Sequence, residues 1–281
     1  MLELLVQFGI LPAAVAGALL LAGGRRYADV GIGAAAAFVL VWLIDNGGEA
    51  PGWPPANSKE ALPIGVLLAG LVTLVPGGQP WTRRLLFFVP ASIGLYYVMS
   101  TQASVLYASV GAFFVAGWAV SAETLANRRP GAVLPLVWLV AFALTAGTFE
   151  RAANLSAAQY VGAFAAASGA FFVLAGLRGL SVAGAALPFG LGLKLLIVNS
   201  HLFAELPFAA ALLLFLAPKG AWIGELPWFR SKPWWLDWGA RLGAVILIAG
   251  TALAITAAAN APAEDAPTEE RNPYVDAFGD G

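Results

Sequence analysis

The chain contains no cysteine, a single histidine and, over 281 residues, only 11% charged side chains. Without cysteine there is no disulfide, no thiolate metal site and no cysteine nucleophile. One histidine rules out the H-E-x-x-H zinc pattern, and no G-x-x-x-x-G-K-[ST] stretch is present to cradle nucleotide phosphates. No G-x-S-x-G elbow supplies a serine nucleophile. No pair of aspartates within an apolar run stands close enough to share a proton or a metal. These absences weigh against an enzyme, and no cofactor or metal is expected. A net charge of −1 gives no basis for nucleic-acid binding.

What the chain has is apolar length. It is 60% hydrophobic with a mean hydropathy of +0.79, whereas soluble domains carry about a quarter charged residues. Spanning helices need roughly 20 apolar residues, and barrel strands would instead be about ten residues of alternating polarity. The fold expected is all-α, a polytopic integral membrane bundle. Its ten transmembrane segments fall at about 3–22, 28–46, 60–76, 83–101, 103–125, 132–149, 157–178, 181–199, 202–218 and 237–259. Residues 1–259 form one transmembrane domain, and 260–281 an acidic Pro/Ala-rich tail. The first run has no Lys or Arg before it, so it reads as a retained span and not a secretory signal.

Two divisions rest on short polar turns, "STQAS" (100–104) and "NSH" (199–201). Basic residues support both, because Lys and Arg gather in cytoplasmic loops. With ten spans, one side holds Arg25, Arg26, Arg83, Arg84, Arg128, Arg129, Arg178, Lys219, Arg230, Lys232 and Arg241. The other holds Lys59, Arg151 and Arg271. Both termini are then non-cytoplasmic. Short loops and the absence of eukaryotic targeting signals point to a bacterial cytoplasmic (inner) membrane.

Two connections have real length. The outer one, 46–63, contains four prolines and should be an ordered cover without helix, since proline removes amide donors. The inner one, 219–241, holds five of the ten tryptophans among Lys and Arg. That mixture suits the headgroup level of a lipid bilayer. The alternative is a docking surface for a protein partner, with lipid contact the reading preferred. The tail 260–281, with six acids and one Arg, has little to bury, and its "NPYVDAF" end offers a second docking segment.

Polar groups at membrane depth are the candidate site. A charge at a helix centre costs about 2.5–3.5 kcal/mol on the insertion scale. Lys194 lies inside an apolar run, about 14 residues or roughly 21 Å from the cytoplasmic side at 1.5 Å per residue. The topology gathers Asp45, Glu150, Arg151, Lys194, His201 and Glu205 into one outer layer, where opposite charges would lower each other's cost. Such a layer is either an interfacial band or the lining of an outward-facing polar cavity. In a cavity, Lys194 and Arg151 would hold an anionic group, Glu205 and Asp45 would balance them, and His201 would titrate near neutral pH. The function expected is a small-solute or ion transporter. The alternative is a non-catalytic accessory subunit of a larger membrane complex, and third comes a membrane-embedded enzyme acting on lipid-linked substrates.

Overall fold

Proline and glycine set where the helices begin, change register and end. The computed structural model describes residues 6–22, 27–75, 80–99, 105–129, 131–230 and 232–261. Among them it contains eleven α-helices. These are α1 (Leu11–Ala22), α2 (Tyr27–Asp45), α3 (Ser58–Val72), α4 (Pro80–Met99), α5 (Val105–Arg128) and α6 (Val133–Arg151). There follow α7 (Leu155–Arg178), α8 (Ala186–Phe203), α9 (Phe208–Leu216), the one-turn α10 (Pro227–Arg230) and α11 (Trp234–Ala259). A π-helical turn, Val6–Ile10, leads into α1, where Pro12 lacks the amide that would bond Phe8. A 3₁₀ turn precedes α8, and a nine-residue 3₁₀ helix, Ala217–Glu225, follows α9.

The all-α, multi-spanning membrane character expected from composition holds, but the number of spans changes. Among the described residues, seven helical stretches are long and apolar enough to cross a membrane, not ten. The stretches at Val6–Ala22 and Ser58–Val72 are shorter, and of the 20-residue α4 the described apolar part is Leu85–Met99. In α3 the reason is local, because Asn57 caps its start through the Glu60 amide. At its other end Thr73 Oγ1 bonds Gly70 O and, across the bundle, Ala28 O. Helix therefore begins at Ser58, inside the 46–63 segment expected to be helix-free. The Glu60 carboxylate reaches back to the amides of Gly52 and Ala56, tying the Pro-rich connection down.

The "NSH" turn also moves. Helix α8 runs through Asn199, Ser200 and His201 to Phe203, and the reversal comes where Ala204 turns extended ahead of Pro207. The three polar side chains find partners without breaking the helix. Asn199 donates to Ser58 Oγ, Ser200 Oγ accepts from Asn154, and His201 meets Leu206 O. The "STQAS" turn, the end of the 60–76 segment and the tail beyond Ala261 lie outside the described residues.

Helix α8 is the centre of the bundle. Every residue from Ala186 to Ile197 is buried, so the helix meets protein all round and has no polar face. It touches α2, α3, α4, α5, α7 and α9. Gly190 and Gly192 make this possible: a Cβ at either would strike the ring of Trp118 on α5 or Phe164 on α7. Between and beside these notches runs a column of rings. Phe189 packs against Phe142 and Phe164 at 5.0 Å and against Phe171 at 6.1 Å, and Phe38 joins Phe164 to Tyr160. Small residues also mark the α2–α3 crossing, where Gly31 faces Thr73 and Gly70 faces Ala35, as close helix approach in a bilayer requires. Gly162, by contrast, has open space at its Cβ position.

Gly192→Ala should therefore lower the unfolding temperature of the detergent-solubilised protein, with an overpacking cost of about 1–3 kcal/mol. Gly162→Ala should leave it unchanged or raised, since alanine favours helix by up to about 1 kcal/mol. Tryptophan fluorescence during heating reads both, and equal effects would contradict the packing described.

Candidate functional site

The bundle has two polar ends and one buried lysine between them. At the first end, α2 finishes with Asp45, whose carboxylate accepts a hydrogen bond from Tyr160 OH at 2.5 Å and lies 3.2 Å from Lys59 Nζ. Lys59 sits in the first turn of α3 because Asn57 caps that helix, and its carbonyl accepts from Trp42 Nε1 at 2.9 Å. Asn154 caps α7 through the Ala157 amide and spans to Ser200 on α8. Ser58, Lys59, Asn154, Ser156, Tyr160 and Asn199 surround a pocket of about 240 Å³. Its floor is Leu62 and Leu196, one and two turns in from the helix ends, beside the Tyr160 end of the ring column. This pocket offers a carboxylate-braced ammonium, a phenol and several amide and hydroxyl groups.

The six residues anticipated from sequence do not converge on one cavity. Asp45 stands behind this pocket, bonded to two of its walls. Glu150, Arg151 and Glu205 are exposed at the same end of the bundle. There Asn260 Nδ2 ties the carbonyls of Arg151 and Glu205 together. His201 is half-buried, its Nδ1 3.0 Å from Leu206 O and its ring 5.6 Å from that of Phe208. Because a carbonyl only accepts, Nδ1 carries the hydrogen in that contact. The imidazole borders an apolar groove of about 280 Å³ between α4, α8 and α9, apart from the polar pocket.

Lys194 belongs with none of them. Its side chain is fully buried and leans toward the start of α8, as helical side chains do. Nζ donates to Phe215 O at 2.5 Å and lies 3.9 Å from the Phe215 ring centre and 4.6 Å from that of Trp118. Phe208 meets His201 at one end of α9, whereas Phe215 meets Lys194 seven residues later, about 10 Å away along the axis. The Phe215 carbonyl is open to Lys194 for a local reason. In the 3₁₀ register that follows α9, its donor would be residue 218. Pro218 has no N–H. The lysine takes the place of that amide, at a helix C-terminus where positive charge is favoured.

The second polar end contains a group of charges that sequence reading counted only as loop residues. Arg241, fully buried on α11, binds Asp237 through Nε at 3.0 and 3.1 Å and Glu225 through Nη2 at 2.9 Å. Its Nη1 donates to Ala221 O. Glu225 Oε1 also accepts from Arg129 Nε at 2.8 Å. A Cβ at Gly224 would collide with both Asp237 and Arg241, so the 3₁₀ helix lies flush on these charges. The i,i+4 spacing of Asp237 and Arg241 was the available sequence signal. The expected span 237–259 contains both residues, but Arg241 counts there only for its side of the membrane.

Among the described residues no group of His, Asp and Glu is arranged to hold a metal. No protein-family model matches the chain, and neither a curated protein nor a solved structure matches it.

Lys194→Met should lower the unfolding temperature, by the roughly 1–3 kcal/mol that an orphaned buried acceptor costs. In a Pro218→Ala background, where an amide at 218 is restored, that loss should fall by at least half. Equal losses in the two backgrounds would show that Phe215 O is not what Lys194 serves.

Proposed function

We propose that the protein is a small-solute transporter of a bacterial cytoplasmic membrane, whose polar pocket between α3, α7 and α8 is the outward-facing substrate site. One observation carries the reading: an ammonium and a phenol, Lys59 and Tyr160, line a pocket beside the aromatic ring column and are held from behind by the Asp45 carboxylate. Side-by-side opposite charges with amide and hydroxyl neighbours suit a zwitterionic or hydrogen-bonding solute. A metal or a long apolar molecule is a poor match. Of the charged groups singled out from sequence, Glu150, Arg151 and Glu205 share this end and would set the field at its mouth. His201 and Lys194 act elsewhere. The distribution of basic residues supports the orientation: Arg128, Arg129, Lys219, Lys232 and Arg241 stand at the opposite end. In this reading that end faces the cytoplasm and the pocket faces outward.

The floor at Leu62 and Leu196 and the ring column beside it favour a second reading, an accessory subunit of a larger membrane complex with a closed interior. Isolation in mild detergent with a stoichiometric partner through 219–241 or the tail, and no solute flux, is its signature.

Orientation has a clean test, because the chain supplies no background thiol. Ala50→Cys should react with a membrane-impermeant maleimide on intact cells, and Gly239→Cys only after permeabilisation. The reverse order would invert the site.

For the site itself, the protein in liposomes should accumulate a zwitterionic solute above empty-liposome levels. Lys59→Met and Asp45→Asn should each weaken its binding at least tenfold, in line with the roughly 1.5–3 kcal/mol of a charged hydrogen bond, while Glu49→Gln changes little. Absence of uptake, together with identical thermal stability with and without zwitterionic, anionic and neutral solutes, would reject the transporter reading.

A further inference from the structure

At the second polar end, the groups around Arg241 border a pocket that the solute site does not use. It measures about 310 Å³ and is bordered by Arg129, Phe229, Lys232, Trp234, Asp237 and Trp238. From this geometry we infer that it is a site for the phosphodiester headgroup of an anionic phospholipid.

The charges come first. Arg129 spends only Nε on Glu225, and its side chain remains 36% exposed. Its two terminal nitrogens make no hydrogen bond or ion pair among the described residues. Lys232 is exposed on the same pocket, with its ammonium 5.7 Å from the Trp228 ring centre and no carboxylate partner among the described residues. Asp237 and Glu225 are on the spot but already committed, held by the buried guanidinium of Arg241. Arg129, Lys232 and Arg241 against Glu225 and Asp237 leave one positive charge in excess, the complement of a phosphodiester monoanion. The N-terminus of α11, a 26-residue helix starting at Trp234, adds its partial positive charge at the same place.

The surroundings select a lipid over a free anion. Trp228 and Trp234 are 70% and 71% exposed, and Trp234 packs edge-on against Trp238 at 5.8 Å. Amphipathic rings around a basic pocket match the level where headgroup meets acyl chain. Basic pockets between transmembrane helices are a known mode of anionic headgroup capture. Arg129 supplies the planar fork that suits phosphate oxygens, and Lys232 a mobile point charge.

The test uses the full chain in neutral detergent, with phosphatidylglycerol, phosphatidylcholine or millimolar inorganic phosphate as the added probe. Phosphatidylglycerol should raise the unfolding temperature and persist as an adduct in native mass spectra, whereas the other two should do neither. Lys232→Gln should weaken phosphatidylglycerol binding about fivefold, the scale of one basic side chain near an anionic surface, without altering lipid-free stability. Lys232→Arg should retain it. Arg129→Gln should weaken it as well, compared at matched temperature below its own unfolding. Equal binding of phosphatidylcholine would reduce the site to ordinary lipid solvation. Protection by inorganic phosphate alone would make it a soluble-anion site, and affinity indifferent to Lys232→Gln would remove the assigned chemistry. Each of these overturns the inference.

Discussion

Ring edges seated in the notches of a helix without a lipid-facing side are the interaction on which the rest of this bundle depends. In a bilayer, lipid tails are as apolar as leucine, so helices gain little by hiding side chains from their surroundings. What they gain is close packing. Gly190 and Gly192 let Trp118 and Phe164 come up to the backbone of α8, and Phe189 between them links α6 to α7. Once α8 is enclosed from Ala186 to Ile197, its neighbours are fixed in angle and depth, and both polar ends inherit their geometry from that arrangement.

Three ionisable groups taken out of water are handled in three ways. Asp45 meets a phenol and an ammonium near the surface, where solvent still reaches Lys59. Arg241 is fully enclosed but shares two carboxylates and a carbonyl, the kind of saturated network in which a buried charge is tolerable. Lys194 has no carboxylate among the described residues. It has one carbonyl and two ring faces, so its burial rests on a backbone group that Pro218 left free and on the negative faces of aromatic rings. A position 218 able to donate would make Lys194 an intruder in that helix.

Much of the architecture was legible in the chain. Apolar runs separated by Pro, Gly and charge gave helices close to their true positions, and among the described residues Lys59 and Arg151 stand at one end of the bundle and Arg128, Arg129, Lys219, Lys232 and Arg241 at the other. What composition could not give was the exact extent of each helix. The Asn57 cap and the Thr73 cross-bond shorten α3, and the polar trio Asn199, Ser200 and His201 stays helical because partners on α3 and beside α7 accept it. The site was legible only in part. Asp45 was found because it ends a helix, but Tyr160 looks like any aromatic in an Ala-rich run until the fold brings it across to Asp45. Lys194 stood out in the sequence as a lysine inside an apolar run. Its partner was invisible because the pairing depends on a proline 24 positions later and on the direction in which helical side chains lean.

The change of register after α9 has a consequence for thickness. A 3₁₀ helix rises about 2.0 Å per residue against about 1.5 Å for an α-helix. Phe208–Glu225 divides into nine α-helical and nine 3₁₀ residues. It therefore reaches about 31 Å, where a continuous α-helix would reach about 27 Å, and the hydrocarbon core is about 30 Å thick. By stretching its last half, an eighteen-residue segment that would fall short of the far headgroups arrives at their level.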